Sequence, residues 1–216
     1  MAANNRVYYY PHYEERLNVI SHAFGFVLSI LGFVLLLKKA LKTGDSIVCF
    51  SFLVFGLSML LLYLASTLYH SAKSEIKRYR LNILDHASIY VLIAGTYTPF
   101  SLLSLHGTIG WIIFISIWLL AILGIILKIF YTGKYQTLST IMYVAMGWII
   151  ILAIKPLLEN LSSEGLIWLL AGGISYTVGA LLFSLNKLKY NHAIFHVFVL
   201  IGTFCHFCAV YFEIKI

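Results

Sequence analysis

Seven apolar segments, each of roughly 17 to 25 residues, occupy almost the whole chain. They span residues 17–37, 46–69, 83–105, 109–129, 137–154, 165–185 and 192–212. Segments of this length cross a bilayer as helices, because a helix satisfies its own backbone hydrogen bonds in lipid. Hydrophobic residues make up 61% of the sequence and charged residues 11%, a balance unlike that of soluble domains. The sequence therefore predicts an all-α, polytopic membrane protein built as a seven-transmembrane-helix bundle.

The linkers between the apolar segments are too short to form a separate soluble domain. We therefore expect a short cytoplasmic N-terminal segment over residues 1–16 and one transmembrane domain over residues 17–216. The first apolar segment follows a polar, tyrosine-rich head and lacks an A-x-A-like exit, so we expect it to remain as the first span.

The fifteen Lys and Arg residues predict the orientation of the bundle. Ten of them fall in the N-terminal head and in the loops after the second, fourth and sixth spans, and five fall on the other side. The positive-inside rule then places the N-terminus inside and the C-terminus outside. The net charge of +7 is explained by this topology and by contact with anionic lipid headgroups. We expect no nucleic-acid or nucleotide partner, because the chain has neither a basic domain nor a phosphate-binding loop.

Histidine and acidic residues collect at the predicted cytoplasmic ends of four spans. They are Glu15, Asn18, Ser21 and His22 before the first span, Ser66 and His70 near the end of the second, Asp85 and His86 in the expected first turn of the third, and His192 and His196 in the first two turns of the seventh. Random placement would scatter such residues between both membrane faces. Ionisable groups at this depth are costly, so they indicate a functional site.

Three of these histidines, His70, His192 and His196, are predicted to share one metal ion. His192 and His196 are four residues apart, which stacks both rings on one face of a helix. Three nitrogen ligands with a fourth position open to water are typical of catalytic zinc, so zinc is the expected cofactor. Asp85 is expected to orient that water or take its proton. Ser66, one turn before His70, is expected to hydrogen-bond the water or a substrate oxygen.

Each part of this constellation also has a simpler structural interpretation. The two histidines of the seventh span can form a hydrogen-bonded interior pair. Asp85 can pair with an interfacial cation such as Lys187, Lys189 or Arg80. Ser66 can hydrogen-bond its own helix. The polar residues before the first span can serve as its N-terminal cap and interfacial anchor.

His206 lies further along the seventh span, about 21 Å from His192 at 1.5 Å per residue, which is too far to join the same metal. It shares the helical stripe of the two ligand histidines and is expected to face the bundle interior. Two interpretations stay open: His206 lines a polar cavity above the metal, or it packs against a neighbouring helix.

The motifs Glu15-x-x-Asn18-x-x-Ser21-His22, Ser66-x-x-x-His70 followed by Asp85, and His192-x-x-x-His196 resemble the three signature motifs of the hemolysin III family. This family is the bacterial branch of the progestin and adipoQ receptor (PAQR) superfamily. The resemblance implies a seven-helix bundle in the bacterial inner or plasma membrane, with the N-terminus inside. It also implies a zinc ion held by His70, His192 and His196, with Asp85 and Ser66 beside it.

Three functions follow from the resemblance and the predicted site. The first is a zinc-dependent hydrolase of a lipid amide or ester, since the same site is associated with ceramidase-like activity in eukaryotic relatives. The second is a pore-forming cytolysin, the haemolytic activity that the family name records. The third is a metal sensor or transporter, which Thr203 and His206 suggest by extending polar groups along the seventh span. The bilayer and a lipid substrate are the expected partners, and the sequence does not predict the oligomeric state.

Overall fold

The computed structural model describes residues 8–105, 107–185 and 187–214. Within these residues, seven helices are long and apolar enough to cross a membrane. They are α1 (His12–Thr43), α2 (Ser46–Ser71), α3 (Glu75–Leu105), α4 (Gly107–Tyr131), α5 (Gln136–Asn160), α6 (Ser163–Ser184) and α7 (Asn191–Glu213). These described residues contain no strand. The predicted all-α bundle of seven spans is confirmed, whereas the orientation of its termini across the bilayer stays a prediction.

The first helix begins earlier than its apolar pattern suggested. It starts at His12, directly after Pro11, and no side chain caps its first turn. The polar residues from Glu15 to His22 therefore lie inside α1, where successive turns aim them at the neighbouring helices. The interpretation of these residues as a cap before the first span is wrong.

The third helix also begins earlier, at Glu75 rather than near residue 83. Its first two turns are rich in charged and polar residues, so a search for apolar runs does not detect them. The expectation that Asp85 and His86 lie in the first turn is wrong. Asp85 is ten residues from the helix start, about 15 Å along the axis, and this depth brings it into the bundle interior.

Helix α3 is the central element of the bundle, since 78% of its most apolar window is buried. It packs between α2 and α4, while α7 packs against α1 and α6. The adjoining α5 is interrupted by a 3₁₀ segment, Ile149–Ala153. The hydroxyl of Tyr97 on α3 accepts from the amide of Ile150 at 2.9 Å and lies 2.9 Å from the carbonyl oxygen of Met146. Tyr97 thus satisfies backbone groups that this interruption would leave unpaired in lipid.

Candidate metal centre

Three buried histidines from two helices meet at one end of the bundle. His70 lies in the last turn of α2, and His192 and His196 lie in the first two turns of α7. One ring nitrogen from each lies within 4.8 Å of the others, and the Nε2 atoms of His70 and His192 are 3.1 Å apart. The sequence predicted this set, and the fold brings its members together. The group can hold a metal ion.

The carboxylate of Glu15 determines which nitrogen of His70 is free to bind a metal. Its Oε2 atom lies 2.7 Å from Nδ1 of His70. A carboxylate only accepts hydrogen bonds, so Nδ1 carries the proton and Nε2 keeps its lone pair. Nε2 is the atom that faces His192. Pairing of a ligand histidine with a carboxylate through its other nitrogen is a recurrent feature of metal sites.

We expect Glu15→Gln to lower zinc affinity about 10-fold, the lower end of the roughly 10–100-fold range for such supporting groups. The amide oxygen can still accept from His70, but the negative charge that raises the basicity of the imidazole is lost. Zinc titration of the purified protein against a chelator of known affinity measures the change. Glu164→Gln, in the exposed first turn of α6, is the matched control and is expected to bind zinc as the wild type does. Unchanged affinity in Glu15→Gln would contradict the role given to Glu15.

Hydrogen bonds of Ser21 orient the ring of His196. The hydroxyl of Ser21 donates to the carbonyl oxygen of Asn18 at 3.1 Å and lies 3.3 Å from Nδ1 of His196. Because the hydroxyl proton is committed to Asn18, the serine oxygen accepts from Nδ1 of His196. The Nε2 atom of His196 is then left with its lone pair, as in His70. Two residues that the sequence assigned to the motif around the site, Asn18 and Ser21, therefore orient one of the ligands.

His192 is held differently from the other two histidines. Its Nδ1 atom has no hydrogen-bond partner among the described residues, and its ring stacks on Tyr10 with centroids 4.6 Å apart. Burial raises the pKa of the Tyr10 phenol, which therefore stays neutral beside the site. Within the described chain, no hydrogen bond joins His192 to His196. Each of the two histidines has a partner on another helix instead, His70 for His192 and Ser21 for His196.

His22, the last residue of the first motif, stacks face to face on His196 with ring centroids 3.5 Å apart. It is buried, and neither of its ring nitrogens has a partner in the described parts of the chain. It also lines the cavity described below. Its ring is therefore available to a molecule in that cavity.

Arg78 connects these parts, although no motif in the sequence indicates it as a site residue. Its side chain is 1% exposed and donates to the Glu15 carboxylate. The guanidinium also lies over the rings of Tyr9 and Tyr69, 4.4 and 4.6 Å from their centroids. It further donates to the carbonyl oxygens of Tyr8, Tyr69, His70 and Ala72. Arg78 thereby ties the N-terminal segment to the end of α2 and holds Glu15 against His70.

We expect Arg78→Met to lower the free energy of unfolding by about 3 kcal/mol, because it leaves a largely buried carboxylate and several carbonyl groups without their partner. For a chain of this length that corresponds to a fall in Tm of roughly 6–12 °C. Thermal unfolding in detergent measures it. The control is Arg80→Met, which removes the same charge from an exposed position two residues away. An equal effect of both variants would show that the charge, rather than the contacts of Arg78, matters.

Asp85 is buried and lines the same cavity as His192 and His196, a cavity that we call the chamber. In the described part of the chain, the nearest cation-forming group to its carboxylate is the ring of His86, 4.0 Å from Oδ2. The alternative pairing with Lys187, Lys189 or Arg80 is therefore not made. Ser66 is fully buried, and its hydroxyl has no partner among these residues, so the alternative hydrogen bond to its own helix is not made either.

The chamber, a cavity that is partly open to the outside, extends from these residues between α3, α4, α5, α6 and α7. Its polar wall includes His22, Asp85, Lys128, His192 and His196. The rest is mainly apolar, with Leu92, Ile93 and Phe195 among the lining side chains. A hydrophobic chamber with a few convergent polar groups is the usual form of a small-molecule site.

His206 supports both interpretations made for it. It lines the cavity, and its Nε2 atom lies 3.2 Å from the carbonyl oxygen of Leu169 on α6. Because a carbonyl only accepts, this nitrogen carries the ring proton. The imidazole also packs closely on Gly172, where an added Cβ would lie 2.2 Å from its ring. His206 is thus a packing residue of the α6–α7 interface that also faces the chamber.

The fold and this site define a class of protein: an integral membrane bundle of seven helices with a buried three-histidine group at one end. Residues 10–207 match the family described as Haemolysin-III related. The chain belongs to the haemolysin III family, as its motifs indicated.

Individual relatives match over nearly the full length of the chain. It is 50% identical over 201 residues to Hemolysin-3 of Bacillus cereus, covering 93% of this chain and 92% of that protein. It is 45% identical over 204 residues to the Hemolysin-3 homolog of Bacillus subtilis (strain 168), covering 94% and 96%. It is 28% identical over 205 residues to the human monocyte to macrophage differentiation factor, covering 92% and 84%.

Proposed function

We propose that this protein is a zinc-dependent hydrolase of a lipid amide or ester in the bacterial inner or plasma membrane. The observation that carries the proposal is that two members of the three-histidine group, His192 and His196, line an apolar chamber that also contains a buried carboxylate, Asp85. Such a chamber suits an acyl chain, and its polar end suits the carbonyl group to which that chain is attached.

The chemistry of the donor set supports zinc as the metal. All three ligands are imidazoles, which suit zinc better than magnesium or calcium, and no cysteine lies in the group. Hydrogen bonds to Nδ1 leave the Nε2 atoms of His70 and His196 unprotonated, as metal ligation requires. A tetrahedral zinc site with bonds of about 2.0–2.1 Å has ligands about 3.3 Å apart. The 3.1 Å between Nε2 of His70 and Nε2 of His192 is close to that value.

When bound, zinc supplies Lewis-acid chemistry that polarises the carbonyl group of the substrate. Asp85 takes a proton from the attacking water, whose oxygen forms a bond to the carbonyl carbon. The carbon–nitrogen bond of an amide then breaks, and Asp85 returns the proton to the departing amine. The products are a fatty acid and an amine, or an alcohol in the case of an ester.

We assign substrate binding to two further side chains, His22 on the chamber wall and Ser66, which is buried one turn before His70. The hydroxyl of Ser66 and the ring of His22 are buried without partners among the described residues. An unpaired buried polar group is costly, so His22 gains from a hydrogen bond to an oxygen of a lipid bound in the chamber. Arg78, Glu15 and Tyr10 surround the ligand histidines rather than the chamber, and we assign them to positioning.

Hydrolysis is tested by incubating the purified protein with a ceramide in ¹⁸O-labelled water. Mass spectrometry is expected to find one ¹⁸O atom in the released fatty acid, with turnover lost on chelation and restored by zinc. Fatty acid without the label would have been carried over with the protein or the lipid, and would not count as turnover. No release from a panel of lipid amides and esters by zinc-loaded protein would reject the proposal.

A pore-forming cytolysin is the second candidate, because the Bacillus cereus relative carries the name Hemolysin-3. Red-cell lysis by purified protein tests it directly. If lysis is independent of the histidine group, His70→Ala lyses cells as the wild type does. Lysis that disappears together with zinc would link the pore to the site.

A further inference from the structure

Lys128 is a buried cation that faces the interior of the bundle. It continues the stripe of buried positions on α4 formed by Gly110, Ile113, Ile117, Ala121 and Gly124. Only 3% of its surface is exposed. A lysine in the last turn of a membrane helix normally extends its side chain toward the headgroups and water. Here the side chain turns inward instead and lines the chamber.

The ammonium group of Lys128 has no partner of opposite charge in the described chain, whose ion pairs involve only Glu15 and Asp85 as acids. No hydrogen bond or aromatic ring engages it there either. Its position near the C-terminal end of α4 gives it some stabilisation from the helix dipole, which is the simpler explanation of its presence. The helix dipole alone does not require an inward-facing side chain, because a lysine on the outer face would gain the same interaction.

The chamber that Lys128 lines has both polar groups and an apolar wall. Its polar lining includes Gln136, Ser139 and Thr140, from the first turns of α5, the helix that follows Lys128 in the chain. Ile89 and Ile93 of α3 belong to its apolar wall. A ligand with a charged end and a hydrocarbon chain matches this arrangement. The hydroxyl and amide groups of α5 can donate further hydrogen bonds to an oxyanion held by the ammonium group.

We propose that Lys128 is an anion-binding subsite of the chamber, and that the lipid bound there carries an oxyanion: a phosphate or a carboxylate. The inference rests on the proposed function only in taking the chamber as the lipid site. It adds a substrate or product class: an acyl lipid with a negative charge, in preference to a neutral one. Lys128 selects the ligand and has no part in the proton transfer assigned to Asp85.

The test compares three probes of equal chain length, laurate, dodecyl phosphate and dodecanol, bound to zinc-loaded protein in phosphatidylcholine nanodiscs. We expect the wild type to bind at least one anionic probe about 10-fold more tightly than dodecanol. Lys128→Gln is expected to remove that preference while leaving dodecanol binding unchanged, and Lys128→Arg to retain it. Lys134→Gln, an exposed lysine in the loop between α4 and α5, controls for charge near the same end of the bundle and is expected to match the wild type.

The two anionic probes distinguish the source of the oxyanion. A preference for laurate alone identifies a free fatty acid, and a preference for dodecyl phosphate alone identifies a phosphate headgroup. Equal affinity for all three probes, or a preference that survives Lys128→Gln, would overturn the proposal. The zinc content and Tm of each variant show whether it is folded. If Lys128→Gln does not fold, the wild type and Lys128→Arg still test the preference for an anionic probe. Binding needs no turnover, so anion selectivity without hydrolysis would reject only the hydrolase, and hydrolysis without selectivity would reject only this subsite.

Discussion

His196→Ala is expected to lower zinc affinity about 100-fold, so that a chelator which leaves the wild type with about one zinc per chain removes most of the zinc from the variant. Zinc binding is worth roughly 10–16 kcal/mol in sites with a full ligand set, so one ligand contributes on the order of 3 kcal/mol, or about 100-fold in affinity. The alanine also removes the ring that stacks on His22 and that Ser21 orients. Metal analysis after gel filtration in detergent measures the result.

His206→Ala is the matched control for this loss. His206 is a buried histidine of the same helix, but ten residues away, about 15 Å along the axis. Its removal is expected to lower Tm, because the carbonyl oxygen of Leu169 loses its partner and a space opens beside Gly172. Zinc content should nevertheless stay near one per chain. Equal zinc loss in both variants would attribute the effect to general destabilisation, and a zinc-free wild type would reject the metal centre.

Asp85→Asn is expected to separate catalysis from metal binding. The amide is close in size to the carboxylate, but it cannot accept a proton from water. Loss of a general base typically costs about 10²–10⁴-fold in rate, so kcat for lipid amide hydrolysis should fall by that factor. Zinc content should be unchanged, since Asp85 lies outside the three-histidine group. Mass spectrometry of released fatty acid, together with metal analysis of the same sample, provides both measurements.

Glu75→Gln, in the exposed first turn of the same helix, is the control for this variant. It removes one carboxylate from α3 without touching the chamber and is expected to turn over lipid like the wild type. If Asp85→Asn hydrolyses lipid at the wild-type rate, another group accepts the proton. If it loses zinc instead, Asp85 acts on the metal site rather than on the substrate.

The two variants also distinguish the candidate functions. A hydrolase requires both His196 and Asp85, whereas a pore whose opening does not involve the site requires neither. Red-cell lysis that persists in both variants would therefore show that any haemolytic activity is separate from the metal centre. Lysis that follows zinc content but not Asp85 would indicate that the metal stabilises the pore.

The apolar pattern predicted the existence of all seven helices, because membrane length and hydrophobicity are properties of contiguous sequence. It predicted the helix starts less well. Helices α1 and α3 extend into polar sequence at His12 and Glu75, where a search for apolar runs has no signal. The displaced start of α3 is the reason that Asp85 was expected near the helix end rather than deep in the bundle.

The ligand histidines were predictable because their signal is local and repeats at helical spacing. Ser66 and His70, and likewise His192 and His196, are four residues apart, which fixes each pair on one helix face. The excess of Lys and Arg in one set of loops then predicted that both pairs lie near the same face of the membrane. The partners of the ligands were not predictable in this way. Glu15 and His70 are 55 residues apart, and nothing in the spacing of either motif indicates their contact.

The sequence by itself thus determined the membrane environment, the number of spans, the family motifs and the three histidines of the candidate metal site, since each depends on composition or on short-range periodicity. The tertiary structure alone decided which ring nitrogen is free in His70 and in His196, why Arg78 is buried, and that Lys128 turns into the chamber. These features depend on packing between helices that are distant in sequence, where the direction of a side chain is determined by the neighbours it meets. The same packing places His192 and His196 on the wall of an apolar chamber, and this arrangement is the reason for proposing a lipid substrate.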